Sequence, residues 1–84
     1  MAVLTLLSRA YCHLCDEMRE AALPVAEAYG ATIVEMDVDV HPALESQYGE
    51  RVPVLMYGPP EDGVEICDLR FDPSAAVRVL TMLV

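Results

Sequence analysis

This 84-residue chain contains no lysine and no tryptophan, and its single phenylalanine is Phe71. Its five strong cations are therefore all arginines, set against 14 carboxylates for a formal net charge of −9. That balance argues against nucleic acid and against an anionic membrane surface as partners, since both need a basic face. A partner recognised by charge would carry the basic patch itself; the plainer reading is a solvated acidic surface. No run approaches the ~20 apolar residues of a spanning helix. Cysteine is scarce as well, with only Cys12, Cys15 and Cys67, too few for a disulfide framework. The opening "MAVLTLLSRA" lacks a basic n-region, and Arg9 cuts its apolar run short of the roughly 7–15 residues of a signal-peptide core. It reads as a strand, and a cytoplasmic protein is expected.

What is present suffices for one domain, residues 1–84. Hydrophobic residues make up 55% of the chain, which marks it as globular rather than disordered. A chain of this length buries roughly 60–65% of its unfolded surface, enough for one core. "VLTLL" at 3–7 has the length and unbroken apolarity of a strand covered on both faces. From Leu14 to Tyr29 the period becomes helical, with Leu14, Met18, Ala21, Val25 and Ala28 on the expected inner face. Pro24 is expected to kink this helix and Gly30 to close it. "ATIVEMDVDV" at 31–40 alternates like a half-exposed strand near a sheet edge. A short helix follows from His41-Pro42 to Gly49. Strands over 53–57 and 64–69, joined by "GPPEDG", make a hairpin. Asp72-Pro73 caps a last helix with Ala76, Val77, Leu80 and Leu83 inward. The order β-α-β-α-β-β-α implies an α/β fold, one mixed four-stranded sheet flanked by three helices.

The pair Cys12 and Cys15 stands where the first strand passes into the first helix. A metal clamp, a structural staple and a reacting thiol couple all use such a spacing. Structural zinc needs four ligands, and neither Cys67, His13 nor His41 has ligand spacing to the pair. Haem attachment needs histidine directly after Cys15, where Asp16 stands. "DVDV" at 37–40 is too short for a calcium loop. The site is therefore expected to hold no metal, although an iron–sulfur cluster shared between two chains through Cys12 stays open.

With Cys12-His13-Leu14-Cys15 at that junction, Arg9 three residues before it and Arg51-Val52-Pro53 opening the third strand, the chain resembles the thioredoxin superfamily in its minimal glutaredoxin form. The resemblance covers essentially the whole chain and is greatest to the small glutaredoxin-like proteins of bacteria. It implies a thioredoxin-like fold, a cis bond at Val52-Pro53 that leaves the Val52 backbone free for an extended substrate, and reversible dithiol–disulfide exchange. Two departures stand out. The dipeptide between the cysteines is His-Leu, and "VEICDLRF" replaces the Gly-Gly step that admits glutathione. Glutathione thus remains an open reductant rather than an expected one, and no bound cofactor is implied.

Exchange needs an exposed, moderately acidic thiolate and a second thiol close by. Cys12 at the start of a helix meets unpaired N–H groups and the positive end of the dipole. It is assigned as nucleophile, and Cys15, one turn in and more buried, as the resolving thiol. His13 either favours the thiolate as an imidazolium or is an exposed residue without a role. Asp16 and Glu17 oppose the thiolate, with Arg9 and Arg51 as offsetting charges. Tyr11 shields Cys12, touches substrate, or packs at the strand's end. Cys67 reads as a small buried hydrophobe. The expected partner is a protein or small-thiol disulfide, met by a monomer. Two alternatives are kept: a thiolate module for metal or an iron–sulfur cluster, and a binding module of the same fold without activity.

Overall fold

A run that is apolar at every position belongs in the middle of a sheet, and β1 (Ala2–Ser8) lies there in the computed structural model, which describes residues 2–83. It is buried at every position but Val3. The helix α1 (His13–Ala28) carries the chain across to β2 (Ala31–Asp37), which pairs with β1 in parallel. After the short helix α2 (Pro42–Tyr48), β3 (Val54–Tyr57) returns on the other side of β1, antiparallel to it. β4 (Val64–Asp68) pairs antiparallel with β3, and α3 (Pro73–Leu83) ends the fold. The sheet order is β2-β1-β3-β4, a mixed four-stranded sheet with three helices. No helix among the described residues is long and apolar enough to cross a membrane.

The sheet has two unequal faces. On one, Leu4, Leu6 and Leu55 pack against Met18, Ala22 and Ala26 of α1 and Leu80 of α3. On the other, Leu7, Val54 and Met56 meet Val38 and Tyr48, with half-buried Met36, Leu44 and Val52 around them, and Val3 and Val34 stay 42% and 46% exposed. Burying the larger face supplies most of the driving force, at about 25 cal/mol per Å² of apolar area.

Three expectations about elements need correction. The inner face of α1 is Cys15, Met18, Ala22 and Ala26, while Leu14, Ala21 and Ala28 are exposed. The face is turned because small alanines let the helix backbone approach the sheet. The strand expected over 31–40 stops at Asp37, whose Oδ1 accepts from the Asp39 amide at 2.8 Å and closes a 3₁₀ turn over Val38–Val40. That turn drops Val38 into the smaller core. On α3, Ala76 and Leu80 are buried, but Val77 and Leu83 are 37% and 45% exposed.

The terminators follow local chemistry. Helix α1 runs on through Pro24, which is exposed, and ends where Gly30 takes φ +70. That value is open to glycine and strained for most other residues. Asp72 caps α3, its Oδ1 accepting from the Ala75 amide at 3.1 Å.

Candidate functional site

The end of β1 leads through Arg9, Ala10 and Tyr11 to the first turn of α1. Tyr11 holds φ +58 and is fully exposed, so its ring packs against nothing at the strand's end. Cys12 is the N-cap of α1, in extended conformation. Its Sγ accepts from the Cys15 amide at 3.1 Å, so an orphan helix-end N–H points at sulfur. Cys12 and Cys15 are joined as a disulfide with Cα atoms 5.2 Å apart. Cys12 is partly exposed and Cys15 has no exposure at all. Of the two sulfurs, only that of Cys12 is open to a partner.

The other expected site residues are brought to the same end of the sheet with different partners. His13 Nε2 lies 3.3 Å from a Glu17 carboxylate oxygen, one turn along α1, so the imidazole is engaged with that side chain. Arg9 reaches the α2 side, with Nη2 2.7 Å from Glu45 and 3.6 Å from Asp39. Arg51 reaches β4, with Nη2 2.5 Å from Glu65 and Nε 3.3 Å from Asp68. Its guanidinium also stands 5.4 Å from the centre of the Tyr48 ring. Neither arginine pairs with Asp16 or Glu17, so neither offsets those carboxylates as expected. The Val52–Pro53 bond is cis, Pro53 is buried, and its carbonyl accepts from the Leu69 amide at 2.8 Å. Val52 packs on the smaller core.

Sequence reasoning missed a polar network beneath the cysteines. Arg19 of α1 donates from Nε to Glu35 of β2 at 2.7 Å and from Nη1 to Asp16 at 2.9 Å, with a further Nη2 bond to Glu35. Buried Ser8 donates to Glu35 at 2.7 Å. The Arg19 bond holds the Glu35 carboxyl below its usual range, with Ser8 adding to it against the opposing effect of burial. The same bond to Glu35, then that to Asp16, raises Arg19. The Asp16–Arg19 spacing of three on a helix was the available signal; the link to β2 depends on strand placement.

Also unforeseen is a groove of about 410 Å³ beside Leu14, walled by Met18, Ala21, Leu69 and Phe71 with Glu17 and Arg70 at its rim. Leu69 sits at φ +64. Cys67 is half-buried against the larger core. Burial pushes its thiol up, against a backbone hydrogen bond from Asp72 that favours the thiolate. No group of three or more His, Cys, Asp or Glu side chains among the described residues is placed to hold a metal ion.

Residues 3–80 match the model of the glutaredoxin-like domain (DUF836). Among solved structures, an X. campestris protein is similar at 42% identity over 96% of this chain and 99% of its own, with TM-score 0.68. A Nitrosomonas europaea protein has 25% identity over 92% and 88%, with TM-score 0.80. The oxidized form of mitochondrial thioredoxin 3 from Saccharomyces cerevisiae shares the fold, at 19% identity over 98% and 78% and TM-score 0.71. No curated protein matches the chain.

Proposed function

The chain belongs to the glutaredoxin-like domain family, and from that premise we propose that it is a thiol–disulfide oxidoreductase. One observation carries the reading: a disulfide-forming pair at a helix start, its first sulfur accessible and its second buried. In the reduced protein the Cys12 thiolate attacks one sulfur of a partner disulfide, and the partner's other sulfur leaves as a thiolate that takes a proton from water. Cys15 then attacks Cys12 of the mixed disulfide, releasing the second partner thiol. Two electrons pass from the protein's dithiol to the partner, and the reverse sequence oxidises a partner dithiol.

The supporting roles follow the geometry. The amide of Cys15 and the helix dipole favour a thiolate on Cys12. Exposed Tyr11 meets the partner, while Val52 and Pro53 form a wall of the partner's track. Arg9, Arg51 and His13 act through the carboxylates they hold. The reading takes no bound cofactor, a protein or small-thiol partner and a reducing compartment.

The test is a titration of the Cys12–Cys15 pair in glutathione redox buffers, read by mass after alkylation. A midpoint between about −180 and −270 mV, the span of working oxidoreductases, is expected. A midpoint below about −300 mV, or no intramolecular disulfide, overturns the reading. Cys15→Ser is expected to accumulate mixed disulfides through Cys12.

A further inference from the structure

Three arginines stand at the Cys12 end of the sheet, and each is held by two carboxylates. Arg9 lies between Asp39 and Glu45, Arg19 between Asp16 and Glu35, and Arg51 between Glu65 and Asp68. Their placement follows from the topology. Arg9 follows β1, Arg51 precedes β3 and Asp68 ends β4, where Val54 pairs with Asp68 and Leu7 with Val54. Arg19 is one turn beyond Cys15, and the Asp16 amide bonds the Cys12 carbonyl at 3.2 Å. Each triad sums to one negative charge, and each guanidinium has its fork turned to its own protein. An arginine so engaged is lost as a receptor for a partner's carboxylate, since the bidentate geometry that makes it one is occupied. No lysine exists to replace it. Arg70, lining the groove beside Leu14, forms no ion pair among the described residues; its single positive charge is set against three triads that each sum to one negative charge.

We propose that these overmatched arginines make the exchange site a charge filter, which accepts protein disulfides whose cysteine is flanked by lysine or arginine and disfavours anionic thiols. The inference rests on the exchange reading above and names its substrate class. Field lines from three unbalanced triads reach the partner in water near the sulfur, where they act on encounter and on the mixed disulfide alike. A small thiol bearing two carboxylates meets net negative charge where it needs a cation.

The test uses the reduced, full-length protein and three symmetric peptide disulfides that differ only in the residues flanking cysteine: lysine, serine or glutamate. Oxidation of Cys12–Cys15 is timed, and each rate is divided by that of dithiothreitol with the same peptide, which removes intrinsic reactivity. In low salt the lysine peptide is expected to react at least about tenfold faster than the glutamate peptide. At about 1 M NaCl, where screening acts within ~3 Å, the gap is expected to close. Glu45→Gln with Glu65→Gln releases Arg9 and Arg51 from one carboxylate each and is expected to narrow the low-salt gap about threefold. Glu27→Gln with Glu61→Gln, the same charge change in the last turn of α1 and in the turn between β3 and β4, is expected to narrow it much less. Equal normalised rates at low salt, or a gap that salt leaves intact, would overturn the filter. Equal effects of the two double variants would also overturn it, assigning the preference to the charge of the whole molecule. Failure of the exchange reading is separately visible: the serine peptide would then leave the protein's dithiol unoxidised.

Discussion

The two ends of the sheet solve the same problem, reversing the chain, with different residues. At the end away from Cys12, positive φ falls on glycine: Gly30 at +70 before β2 and Gly58 at +86 after β3. At the Cys12 end it falls on Tyr11 at +58 and Leu69 at +64, both larger than the conformation tolerates without strain. A left-handed L-residue costs roughly 1–2 kcal/mol. One end therefore turns the chain without strain. The other keeps two bulky exposed side chains beside the disulfide and the groove at Leu14, at a cost in stability. Strained backbone of this kind, here beside the disulfide, is expected where function rather than stability sets the residue.

The contrast can be broken at its strongest point first. Cys12→Ser is expected to bring disulfide exchange down to the uncatalysed background, measured with a neutral disulfide. Cys67→Ser, half-buried on β4, is expected to leave that rate unchanged. If Cys67→Ser also abolished exchange, β4 would belong to the reacting machinery. Next in size is Gly58→Ala, which places a Cβ on a backbone at φ +86. It is expected to cost about 1–2 kcal/mol in urea unfolding and leave the exchange rate per folded molecule intact. Tyr11→Gly is expected to act in the opposite sense. Relief of the left-handed strain, less the entropy of glycine in the unfolded chain, gives a gain of about 0.5–1 kcal/mol. Exchange with peptide disulfides is expected to slow with it, and an unchanged rate would assign Tyr11 no part in meeting the partner.

The smallest effect concerns Glu35. Its carboxyl is held below the usual 4.5 by Arg19 and Ser8, so the folded state binds its proton more weakly than the unfolded chain does. The stabilisation is present above the unfolded value and is lost as pH falls through the folded one. The Arg19 pair is partly exposed, which limits its worth to under about 1 kcal/mol. Glu35→Gln is thus expected to lower stability slightly at pH 7, with the difference shrinking as pH drops below about 4.5. A difference that persisted undiminished to low pH would show that shape rather than charge matters there.

Much of this was legible in the residues. The unbroken apolarity of "VLTLL" announces a central strand, Asp72-Pro73 the start of α3, and Cys12 to Cys15 a paired-thiol site at a strand-to-helix junction. Each is a local signal, written in neighbours a few residues apart. The inner face of α1 differs from the one periodicity suggests by a fraction of a turn, because alanine at 21, 22, 26 and 28 gives periodicity little to choose between. Only the approach of the helix to Leu4 and Leu6 decides that Ala22 and Ala26 are the ones enclosed.

The sequence by itself determined the order of elements, the excess of negative charge and the presence of two thiols one helical turn apart, since each follows from composition or short-range spacing. Tertiary structure decided which sulfur is open, where the smaller core closes, and above all which carboxylates each arginine meets. Arg9 with Glu45, Arg19 with Glu35 and Arg51 with Glu65 are 36, 16 and 14 residues apart. With 14 acids for five arginines, no local rule selects among them. The choice is made by strand register and helix placement, and it leaves three guanidinium groups at the Cys12 end of the sheet bound to their own chain.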